Sequence, residues 1–354
     1  METAERFRQN TQAVCGRMIP GGINMKLLLR DFMWAFVMGF LLPALLMGLT
    51  VCALDTRSPS DSVPVEETVP QIRSGYRMRL KEGDTVTEQD LDNYLVGVLL
   101  AEMPADFPEE ALKAQAVAAR TYTRKAWQTG GKHGDGSVCT EPVCCQSWIS
   151  PEEFLERGGT GQALMKITQA VRSTAGQVLV FEGELIEATY FSASGGKTEA
   201  AVAVWGTDFP YLQSVESPGE EDSGHHREMK VFTPEEFSAL LGLSLRGAPE
   251  DWFDLAQYTE GGTLSRVRIG ERDFTGAEIR SALGLRSAAI SIDVTAGEIR
   301  VTTLGYGHRV GMSQYGARAM ADRGSDHIGI LSHYYPGTEV VILKADTPLP
   351  EPGI

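Results

Sequence analysis

Residues 94–123 read YLVGVLLAEMPADFPEEALKAQAVAARTYT, and the stretch divides at Met103-Pro104. Upstream, Asp92–Leu100 is almost wholly apolar and reads as a buried strand leading to Ala101-Glu102. Downstream, Asp106 is placed to cap a helix with Pro108 in its first turn and Glu109-Glu110 at the positive end of its dipole. The pattern predicts a helix to about Gln128, ended by Gly130-Gly131. Its stripe of Leu112, Ala116, Ala119, Thr123 and Ala126 is apolar but small, which suits close backbone packing.

Strand patterns surround this core. Tyr76–Lys81 precedes it, and Gln177–Phe181 with Leu185–Phe191 reads as a hairpin about Glu182-Gly183-Glu184. Thr233-Pro234-Glu235-Glu236 opens another helix, with Thr233 as its cap. Leu264–Ile269, then Ile290–Val294 and Ile299–Thr303 joined through Ala296-Gly297, read as further strands. Strands and helices mix without a regular βαβ alternation, so the expected class is α+β.

Outside residues 76–345 the composition changes. Residues 32–54, FMWAFVMGFLLPALLMGLTVCAL, form an uncharged run long enough to span a hydrocarbon core, and Pro43 is tolerable in such a helix. Arg6, Arg8, Arg17, Lys26 and Arg30 precede it. The positive-inside rule then leaves residues 1–31 in the cytoplasm and everything after Leu54 outside. A cleaved signal peptide, a lipidated Cys52 and a buried soluble helix are the competing readings. Residues 55–75 and 346–354, rich in Pro and acidic or polar side chains, read as a flexible linker and tail. The net charge of −15 and pI near 4.9 argue against nucleic acid as a partner, which needs a basic footprint.

Glu102 is the most informative single residue, an ionisable group in the apolar run Val98–Pro104. Burial disfavours the charged form of a carboxyl, as a glycosidase acid requires. The plainer reading is a solvated acid beside a helix start. His133, Cys139, Cys144 and Cys145 gather soft ligands in one loop, with spacing that matches no zinc finger. A structural zinc ion, a disulfide from Cys139 to Cys144 or Cys145, and free thiols are all open there. Neither G-x-S-x-G nor H-E-x-x-H occurs, so a serine nucleophile elbow and a zinc hydrolase have no motif to rest on.

The 94–123 block, with Tyr190–Thr198 (YFSASGGKT) and Gly307–Ala317 (GHRVGMSQYGA), resembles the stage II sporulation protein D family, including the core shared with amidase-enhancer relatives. The resemblance runs from about residue 76 to 345, in the family's order. It implies a membrane-anchored lytic transglycosylase acting on peptidoglycan glycan strands during engulfment in sporulation. Strands already stripped of stem peptides by a partner amidase of the same membrane complex are the implied substrate. Glu102 inherits the role of catalytic acid and Arg120 that of an active-site residue expected to contact the sugar. Tyr190 and Lys197 carry over as substrate-binding residues. Ser313 and Gln314 either hydrogen-bond sugar or cap the helix that follows. Some family members hold zinc in the His/Cys loop and others lack the cluster. Arg309 stands where the family has the second glycine of Gly-His-Gly-x-Gly, which bears on the backbone of that turn. The alternative function is a non-catalytic wall-binding activator of a partner amidase.

Overall fold

A hydrogen-bonded knot gathers around Asp90. Its carboxylate accepts from the Ser74 N–H (2.8 Å) and hydroxyl (2.9 Å), and from the Asp92 N–H (3.0 Å). This caps a helix, Leu91–Glu102. The computed structural model describes residues 74–345. The run 32–54 read as a membrane span, the linker to residue 73 and the tail 346–354 lie outside them. Among the described residues no helix is long and apolar enough to cross a membrane.

The expected strand over Asp92–Leu100 is therefore a helix, and the reason is burial on every side. Leu91, Tyr94, Leu95, Val96, Val98 and Leu99 are all buried, so the run carries no 3.6-residue period. A continuous apolar stretch does not distinguish buried strand from buried helix by period, and the cap at Asp90 decides for the helix. The second helix, Glu109–Thr129, follows expectation except at its start, where Pro108 holds the cap position with no side-chain bond from Asp106. Gly130, at φ +89°, ends it in the left-handed region. Its small buried stripe packs against the helices Gly161–Ser173, Gln314–Asp322 and His327–Tyr334 and the strand Gln177–Phe181.

Arg120 sits inside this packing and is fully buried. Its Nη2 lies 2.9 Å from Asp92 Oδ1 and also donates to the Val171 carbonyl, and Nη1 donates to the Gln177 carbonyl and the Thr174 hydroxyl. One guanidinium thus joins three helices and the start of a strand.

Small sheets surround the helices. Arg77–Glu82 pairs antiparallel with Thr85–Asp90 and parallel with Ser137–Cys139. Gln177–Phe181 pairs with Glu339–Ile342 and, through a short hairpin, with Glu184–Leu185. Tyr190–Phe191 leaves that hairpin and runs parallel to Met312–Ser313, joining two distant sequence blocks. Residues 227–304 form a second layer with their own hydrophobic core, including Phe237, Trp252, Ile269, Phe274, Ile279 and Ile299. Thr233 caps its helix Pro234–Leu240 through a reciprocal bond with Glu236, as its sequence predicts. The mixture is α+β.

Arg309 explains its own departure from glycine. It adopts φ +66°, a conformation costing a side-chain-bearing residue about 1–3 kcal/mol. Its buried guanidinium offsets that by donating to the carbonyls of Ser194 (2.8 Å), Lys197 (2.7 Å) and Gly261 (2.7 Å) and to the Thr263 hydroxyl (3.1 Å). The clamp fastens the turn at 307–311 to the second layer, which a glycine cannot do.

Candidate active site

Glu102 is the last residue of its helix and half-buried. It lies on a cavity of about 770 Å3. Its Oε1 accepts the Ser147 N–H at 2.8 Å, and Gln314 Nε2 approaches Oε2 at 3.5 Å. Ser147 reaches it because Gly97 lets the 144–149 segment lie directly on the helix. A Cβ at Gly97 would meet the Trp148 ring and come within 2.6 Å of the Ile149 carbonyl oxygen. Trp148 Nε1 donates to the Tyr94 carbonyl at 3.1 Å, closing the contact.

Tyr190 lines the same cavity and donates to Gln146 Oε1 at 2.9 Å. Gln146 in turn donates to the Tyr94 hydroxyl (3.2 Å) and the Thr123 hydroxyl (3.0 Å). Burial, reinforced by the charge of Glu102, holds the Tyr190 phenol well above its ordinary pKa, so it remains a donor. His308 packs between Phe191 and Trp205, with ring centres 5.6 and 5.3 Å away. Its Nδ1 accepts the Val310 N–H at 3.1 Å, which leaves the proton of the neutral ring on Nε2. Burial, and then the nearby Arg280 charge, push its pKa down to about 4. Trp205 and Tyr306, each more than 40% exposed, offer flat apolar walls. A second carboxylate, Glu187, lines the cavity and stands 3.5 Å from Lys125.

The other sequence-predicted residues divide. Arg120 does not line the cavity; its fork is consumed by Asp92 and backbone carbonyls in the core, so a direct sugar contact is corrected to a structural one. Lys197 also lies off the cavity, 3.3 Å from Glu260 and 3.7 Å from Glu216. Ser313 is buried, accepts the Gly316 N–H (3.1 Å) and donates to Glu220 (2.7 Å), so it caps the following helix. Gln314, next to it, points to Glu102. Sequence reasoning missed Gln146, Ser147, Glu187, Trp205 and Arg280. Ser147 acts through a backbone N–H, which no residue type announces, and the others enter from distant segments.

His133, Cys139, Cys144 and Cys145 converge, with one ligand atom from each inside a 4.8 Å span. His133 Nε2 lies 3.8 Å from Cys144 Sγ and 3.6 Å from Cys145 Sγ, and the two sulfurs are 3.8 Å apart. The three cysteines are unbridged, and the group can hold a metal ion. The chain runs from Cys145 straight into Gln146 and Ser147, so the cluster anchors the segment that supports Tyr190 and Glu102.

Residues 80–181 match the family model described as stage II sporulation protein. The chain is 39% identical to stage II sporulation protein D of Bacillus subtilis (strain 168) over 292 residues, covering 81% of this chain and 84% of that protein. It is 38% identical to stage II sporulation protein D of Bacillus amyloliquefaciens over 254 residues, 71% of this chain and 74% of that protein. An amidase enhancer of Bacillus subtilis (strain 168) is 28% identical over 302 residues, 69% of this chain and 40% of that protein.

Proposed function

The chain belongs to the stage II sporulation protein D family, and we propose that it is a lytic transglycosylase that cleaves peptidoglycan glycan strands, preferring those stripped of stem peptides. The observation that carries this reading is the position of Glu102, a carboxyl held by two donors on an aromatic-walled cavity of about 770 Å3.

The chemistry follows from one carboxyl. Protonated Glu102 gives its proton to the glycosidic oxygen, and the bond from that oxygen to the muramyl anomeric carbon breaks. The muramyl 6-hydroxyl bonds to the same carbon and returns its proton to Glu102. No water is consumed, and the product ends in a 1,6-anhydro ring. Ser147 and Gln314 fix the carboxyl, and Tyr190 supports the wall beside it through Gln146. Glu187 would suit a hydrolase that activates water. Its ion pair with Lys125 gives it another role, and the product ends separate the two routes.

The metal in this reading is zinc in a structural role, bound by His133, Cys139, Cys144 and Cys145. Tetrahedral zinc with Zn–S of about 2.3 Å and Zn–N of about 2.0–2.1 Å requires S···S near 3.8 Å and S···N near 3.6 Å. Among His133, Cys144 and Cys145 the sulfur–sulfur distance of 3.8 Å and the sulfur–nitrogen distances of 3.6 and 3.8 Å fit that requirement, and the Cys139 sulfur lies within 4.8 Å of all three. Four protein ligands leave no open position, so zinc would stabilise the loop and not activate water.

The proposed setting is the engulfing membrane of the mother cell, with one N-terminal span and the catalytic region outside. The partners are a peptidoglycan amidase and other membrane proteins of the engulfment complex. The likeness to an amidase enhancer favours, as a second reading, a non-catalytic activator of such an amidase. Digestion of stripped glycan by the purified protein separates them. Fragments lighter by one water than hydrolytic products support the transglycosylase, and an unchanged glycan supports the activator.

A further inference from the structure

The Glu102 cavity continues into a second one of about 720 Å3, and the two share Arg280, Gly307 and His308. Arg280 stands at this junction, on the helix Gly276–Leu283 of the second layer. It is half-buried, and its Nε donates weakly to the Leu285 carbonyl at 3.4 Å. No carboxylate among the described residues pairs with it. Arg266, Arg268, Arg272, Arg286 and Arg300 of the same layer each pair with an acid, whereas Arg280 lines both cavities without one. In a chain of net charge −15, an uncompensated guanidinium on a cavity wall points to an anionic ligand.

The proposed substrate has one such group. The sugar hydroxyls and N-acetyl groups are neutral, and the only charge on a stripped strand is the lactyl carboxylate of each muramyl residue. A stem peptide converts that carboxylate into a neutral amide and adds bulk. We propose that Arg280 receives the free lactyl carboxylate of a muramyl residue lying across the junction, and so selects stripped glycan. This rests on the glycan reading above and assigns its specificity to one side chain. The planar fork of arginine matches a carboxylate through two parallel hydrogen bonds, which an amide cannot accept in the same way. The reaction that must supply this substrate is hydrolysis of the lactyl amide, in which water is consumed, the carboxylate is freed and the peptide leaves as an amine.

The test measures binding in the full-length protein carrying Glu102→Gln, so that glycan is held uncleaved. Two probes are compared: stripped glycan oligosaccharides with free lactyl carboxylates, and the same oligosaccharides converted to methylamides. The expected preference for the free acid is about 10- to 100-fold, the range of a charged hydrogen-bonded contact. Adding Arg280→Gln should bring the free acid down to the methylamide's affinity and leave the methylamide unchanged. Arg280→Lys, which keeps the charge and loses the fork, should retain part of the preference. Equal binding of both probes by the Glu102→Gln protein, or a preference that survives Arg280→Gln, would overturn the assignment and leave the glycan reading intact. Binding of neither probe would remove the glycan reading, and this inference with it.

Discussion

Replacing Arg120 with alanine should destabilise the fold and not remove a catalytic contact. The substitution strips the fully buried Asp92 carboxylate of its Arg120 partner. Asp92 Oδ2 has no hydrogen-bond partner among the described residues, so little is in place to compensate. Breaking one side of a buried ion pair costs about 3–5 kcal/mol. The lost donors to the Val171 and Gln177 carbonyls add to it, though not additively. Against a total stability of about 5–15 kcal/mol, this is a large fraction. It corresponds to a fall in melting temperature of roughly 6–20 °C. Burial already raises the Asp92 pKa despite the opposing Arg120 charge, and without Arg120 the folded carboxyl favours its proton further. The instability of Arg120→Ala should therefore grow as pH rises above the ordinary aspartate range. Replacing both partners together, Asp92→Leu with Arg120→Met, should recover much of the loss, because the uncompensated charge is gone. Thermal unfolding and glycan cleavage per folded molecule are the two readouts. An Arg120→Ala protein that melts within a degree or two of the parent, yet cleaves no glycan, would refute this reasoning and return Arg120 to the substrate.

Gly97→Ala should destabilise, the opposite of the usual effect of alanine in a helix, because its methyl meets the Trp148 ring and the Ile149 carbonyl. Chemical unfolding gives the sign, and a lower cleavage rate would report displacement of Ser147 from Glu102. Stability should fall as pH drops from about 6.5 to about 4, since His308 stays neutral in the fold down to about 4 while the unfolded chain takes up a proton. A second loss should set in below about 4.5 and be largely complete by about 2. Burial alone would raise the Glu110 carboxyl, but bonds from Lys113 and His327 hold it at about 2. His308→Gln should flatten only the upper window in pH-dependent urea unfolding; an unchanged profile would assign it to other groups. Protein purified under reducing conditions without added zinc should contain about one zinc per chain, and chelation should lower stability before activity. A metal content near zero, or a mass lower by two hydrogens that reduction restores, would replace the metal with a disulfide.

The parts of the fold written in local chemistry were legible. Thr233 with Glu236, Gly130 after the long helix, and the strand pair about Ala296-Gly297 appear where their residue types direct them. The helix that carries Glu102 was not, because burial on all sides erases the period that separates helix from strand. Glu102 stood out as a lone acid in an apolar run, and Tyr190 and Gln314 came with the family blocks. The spacing around Arg120 did hold a signal for its burial. It lies four residues after Ala116 and three before Thr123, on the face that packs inward. Ser313 likewise had a capping residue's chemistry. The supporting shell of Gln146, Ser147, Trp205 and Arg280 was invisible, because it is assembled by loop closure and by a second layer whose separate core no local pattern announces.

The central claim is that the Glu102 carboxyl supplies and recovers the proton in an anhydro-forming cleavage. Stripped glycan strands should be incubated with the parent protein and with Glu102→Gln, and the released ends weighed by mass spectrometry. Glutamine can keep the Ser147 bond as acceptor and has no proton to give, so the variant should fold normally and release nothing. The parent should release fragments ending in 1,6-anhydro-muramyl residues. Anhydro ends produced by Glu102→Gln at near the parent rate, or hydrolysed ends from the parent, would contradict the account.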